Sequence, residues 1–173
     1  LLATLNFIET VPSIALFGLL LAPLAALAHA APSLAALGIH GIGAAPAVIA
    51  LILYSLLPVV RNTLAALESV DRAVIEAAFG MGLTARQVFW RIELPLGLPV
   101  FLAGVRIVLV QAIGLVAVAA LIGAGGLGVF VFQGIGQYAV DLVLLGAVPI
   151  IALALAADFA FALAIAGLER RAR

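Results

Sequence analysis

Apolar residues fill this chain in runs far longer than a strand, with neither the period-2 alternation of a half-buried sheet nor the narrow stripe of a soluble surface helix. Residues 10–60 and 107–140 contain no Asp, Glu, Arg or Lys. Each stretch exceeds the ~20 residues that cross a ~30 Å hydrocarbon layer, and the first is long enough for two crossings. Pro32, Ser33, Gly38, Gly41, Gly43 and Pro46 punctuate it where a turn would fall. Four membrane helices are predicted at about 7–28, 44–64, 96–122 and 142–167. The Ala- and Leu-rich runs do not suit barrel strands, so the fold class expected is all-α and membrane-embedded.

The polar connection between the second and third spans, about residues 65–95, reads differently. Asp71 can cap a helix over 72–81, and Gly82 is suited to the position just past its end. Thr84 with Gln87 forms a T-x-x-Q capping box for a second short helix, and Pro95 and Pro99 mark the start of the next span. A helix of about ten residues is marginal alone in water and needs a packing surface. Ala73, Ala77 and Ala78 let another backbone come close, while Val74, Ile75, Phe79 and Met81 supply apolar area. That pattern fits either an amphipathic hairpin lying on the bilayer or a docking element for another protein.

Composition narrows the chemistry. The 173 residues are 67% hydrophobic and 9% charged, against roughly half and a quarter in soluble domains. Eight Arg balance eight Asp and Glu, so there is no basic footprint for nucleic acid. There is no Lys and no Cys, which removes a phosphate-loop lysine, a Schiff base, a thiolate nucleophile and cysteine metal sites. His29 and His40 stand 11 residues apart among Ala and Gly, without metal-ligand spacing or nearby carboxylates. The chain starts at Leu rather than Met, without a cleavable leader before its first apolar run, and reads as part of a longer protein.

Half of all the charge lies between Arg61 and Glu93. Arg61, Arg72, Arg86 and Arg91 share one connection, and Arg170, Arg171 and Arg173 form the tail two crossings later. Positive charge is retained on the cytoplasmic side, so both are expected there. Arg106 lies 11 residues after Pro95 and Asp158 lies 11 before Glu169, which puts them at similar depth in antiparallel spans. A lone charge inside a bilayer is costly, so an Arg106–Asp158 ion pair is expected, with Arg106 on a solute path as the alternative. Gly123, Gly125, Gly126 and Gly128 suit either close helix packing or a break lining a pathway. Gln133, Gln137 and Tyr138 follow on the outer side.

The run Glu76-Ala77-Ala78, three residues, Gly82, nine residues, Ile92, one residue, Leu94-Pro95 resembles the EAA motif of ABC-type importer permeases at every defined position. The stretches Glu9 to Gly18, Leu57 to Thr63, Gly80 to Thr84, Gly123 to Gly128 and Gly146 to Pro149 resemble the glycine betaine, choline and carnitine branch, and methionine-importer permeases share a looser version. The resemblance implies a type I ABC importer transmembrane domain over 1–173, methionine-importer-like, with one or more N-terminal spans missing. It implies a multi-pass protein of a bacterial or archaeal cytoplasmic membrane. Glu76, Ala77, Ala78 and Gly82 would form a coupling helix that docks on a separate ATP-binding cassette subunit, with Ile92, Leu94 and Pro95 seating it. The remaining implied partners are an extracytoplasmic substrate-binding protein and a second permease copy, identical or homologous. Neither a cofactor nor a metal is implied, and ATP hydrolysis falls to the partner.

The function expected is ATP-driven import of an osmoprotectant by alternating access, with another small solute such as an amino acid of the methionine type as the alternative. A quaternary ammonium wants an aromatic cage. Only Trp90, Tyr54 and Tyr138 join nine Phe here, so selectivity is expected mainly in the binding protein. A secondary transporter fragment would have no use for the EAA spacing, and a membrane enzyme would need a catalytic cluster that the spans lack.

Overall fold

The structure is a computed structural model that describes residues 11–31, 33 and 40–172. All regular structure among these residues is helical: α1 (Ser13–Ala30), α2 (Ala44–Glu68), α3 (Arg72–Gly80), α4 (Ala85–Val88), α5 (Leu94–Ala119), α6 (Gly128–Gln137) and α7 (Val140–Ala172). A π-helical turn, Phe89–Glu93, joins α4 to α5, and a 3-10 turn, Ala120–Ile122, ends α5.

Among the described residues, three helical runs are long and apolar enough to cross a membrane: Ala44–Glu68, Ala85–Ile122 and Val140–Leu168. The first predicted span is shifted. Its start at residues 7–10 lies outside the described residues, and α1 follows Pro12, whose fixed φ and missing N–H suit a helix start. The apolar stretch Ile14–Ala30 is shorter than the other three.

The polar connection also departs from the sequence expectation. Its second helix is no separate element but the start of a 38-residue run ending at Ile122. Pro95 and Pro99 read as a boundary because proline lacks an N–H and its ring crowds the carbonyl four residues back. The turn just before Pro95 is widened: the Leu94 N–H bonds the Phe89 carbonyl, five residues back. Such a bulge relieves the crowding and lets the helix continue. At 1.5 Å per residue the run measures about 57 Å, well beyond the ~30 Å that one crossing of the hydrocarbon layer needs.

The chain clusters into two compact units, Leu1–Leu57 with Val110–Ala156 and Pro58–Leu109 with Ala157–Arg173. In the first, Leu16 and Phe17 of α1 pack with Ala47 and Ala50 of α2 and Ala119 of α5. Three alanines at this contact let the backbones approach, as membrane helices require when apolar burial gives no advantage over lipid. The Tyr54 hydroxyl donates to the Val11 carbonyl, and the Gly43 N–H donates to the Ile122 carbonyl at 3.0 Å. In the second unit, α2 and α5 lie against each other where a Cβ on Gly97 would come within 2.7 Å of the Ala66 carbonyl oxygen.

Close approach is tightest at the start of α6, where a Cβ on Gly128 would sit 2.1 Å from the Ala117 carbonyl oxygen. Gly128→Val therefore lowers the stability of the purified protein by about 1–3 kcal/mol through overpacking. Gly114→Ala, which meets nothing within 4 Å, leaves the melting temperature unchanged or slightly raised. Equal melting temperatures for the two variants would contradict this packing.

Candidate functional site

The polar connection begins where α2 ends. Asp71 accepts a hydrogen bond from the Ala73 N–H at 2.9 Å and so caps α3. On this nine-residue helix Ala78 is fully buried, whereas Glu76 and Ala77 are exposed. The helix closes in a Schellman motif: the Leu83 N–H bonds the Ala78 carbonyl at 3.2 Å and the Gly82 N–H bonds the Phe79 carbonyl at 2.9 Å. Gly82 occupies the left-handed position of that motif with φ +84°. Two residues later the Thr84 N–H donates to Gln87 Oε1 at 2.9 Å, which ties down the start of α4.

The hairpin leaves a run of apolar side chains open. Val74, Phe79, Met81 and Trp90 are all exposed, Met81 to 74%. Ile92 and Leu94 are half-buried and Pro95 is exposed at the π-to-α junction. Beneath this junction lies a cleft of about 190 Å³, lined by Thr63, Ala66, Leu67, Phe89, Glu93 and Phe101 among others. The Thr63 hydroxyl is turned back to the Val59 carbonyl at 2.7 Å, and the wall of the cleft is apolar.

Arg106 of α5 and Asp158 of α7 meet within the same compact unit. Nε donates to Oδ1 and Nη2 to Oδ2, each at 2.5 Å, so the fork is bidentate. Both side chains keep about a third of their surface open, 35% and 38%. Asp158 thus engages the Nε/Nη2 side of the guanidinium.

The four glycines of 123–128 separate by role. Gly123, Gly125 and Gly126 all adopt positive φ and turn the chain between α5 and α6, whereas Gly128 is a helix contact. A second Schellman motif closes α6: the Ala139 N–H bonds the Gly134 carbonyl at 2.9 Å, and the Tyr138 N–H bonds the Ile135 carbonyl. Tyr138 takes the left-handed position, φ 54°, in the place that Gly82 holds at the end of α3. For an L side chain this backbone costs about 1–2 kcal/mol. The ring is 95% exposed, so packing does not offset the strain. Sequence reading grouped Tyr138 with Gln133 and Gln137 but could not see this backbone, because a glycine is the usual marker of the position and the nearest one, Gly136, lies two residues early.

All 173 residues match the family described as the binding-protein-dependent transport system inner membrane component. The chain belongs to this family. Among relatives, this permease chain is 42% identical over 158 residues to the osmoprotectant import permease protein OsmW of Salmonella typhimurium, covering 91% of this chain and 68% of that one. It is 40% identical over 159 residues to the carnitine transport permease protein OpuCB of Listeria monocytogenes, covering 92% and 66%. The chain thus spans about two thirds of the length of these relatives. Its fold matches a chain of the MetNI methionine ABC transporter, solved in an inward-facing conformation, with a TM-score of 0.80 at 23% identity over 96% of this chain and 73% of that one. The permease therefore has the all-α fold of a type I ABC importer transmembrane domain and is a multi-pass membrane protein.

The bidentate pair predicts thermodynamic coupling. Arg106→Ala and Asp158→Ala each lower the melting temperature of the purified permease, and the double variant loses less than the sum of the two. Strict additivity would show that the two charges do not depend on each other.

Proposed function

We propose that this chain is the membrane-spanning subunit of an ATP-driven importer for an osmoprotectant of the glycine betaine, choline or carnitine kind, working by alternating access. Residues 1–173 act as one permease domain, and the connection at about 65–95 is its contact with a separate ATP-binding cassette subunit. A second permease copy, identical or homologous, completes the pathway, and an extracytoplasmic binding protein delivers the solute. The substrate class rests on 42% identity to an osmoprotectant permease and 40% identity to a carnitine permease. The likeness to the methionine transporter, at 23% identity, speaks to fold alone and does not favour methionine.

The observation that carries the coupling role is the open apolar surface of the hairpin. In a connection that holds seven of the chain's sixteen charges, Val74, Phe79 and Met81 stand exposed around the buried Ala78. Apolar side chains outside the bilayer need a partner surface, and a short capped helix with small residues at its centre fits a groove. On this reading Glu76, Ala77, Ala78 and Gly82 form the docking element, and Ile92, Leu94 and Pro95 join it to the span. ATP binding draws the motor subunits together, the docked helices move with them, and α5 carries the displacement into the bilayer.

Co-purification tests the assignment. Glu76→Ala combined with Gly82→Asp, which places a side chain at φ +84°, is expected to reduce recovery of the ATP-binding subunit with the permease by about tenfold. Solute-stimulated ATP hydrolysis falls with it. If complex recovery and stimulated hydrolysis both match those of the unmodified transporter, the docking assignment is wrong.

A further inference from the structure

Tyr138 stands where nothing in the chain's own folding asks for a tyrosine. The two Schellman motifs of this chain share one hydrogen-bond pattern, with bonds of 3.2 Å and 2.9 Å closing the longer loop. One carries glycine at its left-handed position and the other carries tyrosine, with φ +84° and 54° respectively. Glycine removes the strain at such a position and an asparagine reduces it. Tyr138 is 95% exposed, so its side chain gains little from packing against the described residues. A strained backbone that carries an exposed side chain points to a role outside the chain's own packing.

Its surroundings indicate what that is. Gln133 and Gln137 are exposed on the last turn of α6, Ile135 is exposed between them, and Asp141 is exposed in the first turn of α7. An aromatic residue flanked by amides is the composition of a protein-binding hot spot with a polar rim. Asp141 is the one charge between residues 107 and 157, so a facing surface that presents Arg or Lys is complementary. Tyrosine is also common at lipid headgroups, but that role is met at any lipid-facing helical position of suitable depth and does not select a left-handed backbone. The turn follows the crossing that begins at the polar connection, which places it on the outer side under the reading proposed above.

On that reading, we propose that Tyr138 is an anchor for the solute-loaded extracytoplasmic binding protein, seated in an apolar pocket of that partner with Gln133, Gln137 and Asp141 at its rim. The left-handed backbone sets the exposed tyrosine at the turn between α6 and α7. It is a positioning contact for the partner and touches no solute.

The assembled transporter in proteoliposomes provides the test, with ATP hydrolysis measured as glycine betaine-loaded binding protein is titrated in. Tyr138→Gly relieves the backbone and removes the ring. Its melting temperature is expected to equal or exceed that of the parent, while the half-saturating concentration of binding protein rises by about tenfold. Tyr138→Phe keeps the ring and stays within about twofold of the parent, and Tyr138→Asn, which also suits a left-handed backbone, behaves as Tyr138→Gly does. An unchanged titration for Tyr138→Gly and Tyr138→Asn overturns the proposal. So does a lowered melting temperature or poorer membrane insertion with an unchanged titration, which would make the ring a lipid anchor. If binding protein fails to stimulate the unmodified transporter, the permease reading falls and this proposal with it; if stimulation is intact but indifferent to residue 138, only this proposal falls.

Discussion

Hydrocarbon offers no hydrogen-bond partner to a backbone carbonyl and no solvent to a charge, and this chain is organised around that exclusion. Its crossings are helical because a helix pairs its own N–H and C=O groups. Its charge collects in one connection and at the tail. Where charge does enter a span, Arg106 and Asp158 take each other as bidentate partners. The proline at the membrane boundary is accommodated by a five-residue hydrogen bond rather than by a break. The turn that ends α5 is made by three left-handed glycines and leads at once into another helix.

The proposed coupling role asks how the short helix α3 could act on the long apolar helices. One compact unit contains the whole polar connection, the first part of α5 and the last part of α7. The π turn joins α4 to α5 without an intervening loop, and the hydrogen-bonded Schellman turn at Gly82 joins α3 to α4. The Arg106–Asp158 fork then ties α5 to α7 inside that unit. These links give the proposed coupling role a physical route.

The long apolar runs and the capped helix after Asp71 were legible from residue order because they follow from composition and local chemistry. The Asp71 cap is a bond between neighbours, and the pairing of Arg106 with Asp158 follows from equal depth in antiparallel spans. The continuity of α4 with α5 was not legible, because Pro95 is a stop signal unless the turn before it widens. Nor were the separate roles of the four glycines, since positive φ and tight packing favour the same residue. Tyr138 was hidden for the opposite reason: its conformation is the one that its side chain disfavours. The chain's likeness to its relatives fixed the family, whereas the hairpin's exposed surface required coordinates.

These 173 residues contain no cysteine, which suits them to labelling at one introduced thiol. Phe79→Cys places a single thiol on the exposed face of α3, to be labelled with a water-soluble maleimide in the purified permease alone and in its complex with the ATP-binding subunit. The coupling-helix account predicts rapid labelling in the permease alone and labelling at least about tenfold slower in the complex, as a side chain sealed into an interface requires. Equal labelling rates in the two preparations would contradict it.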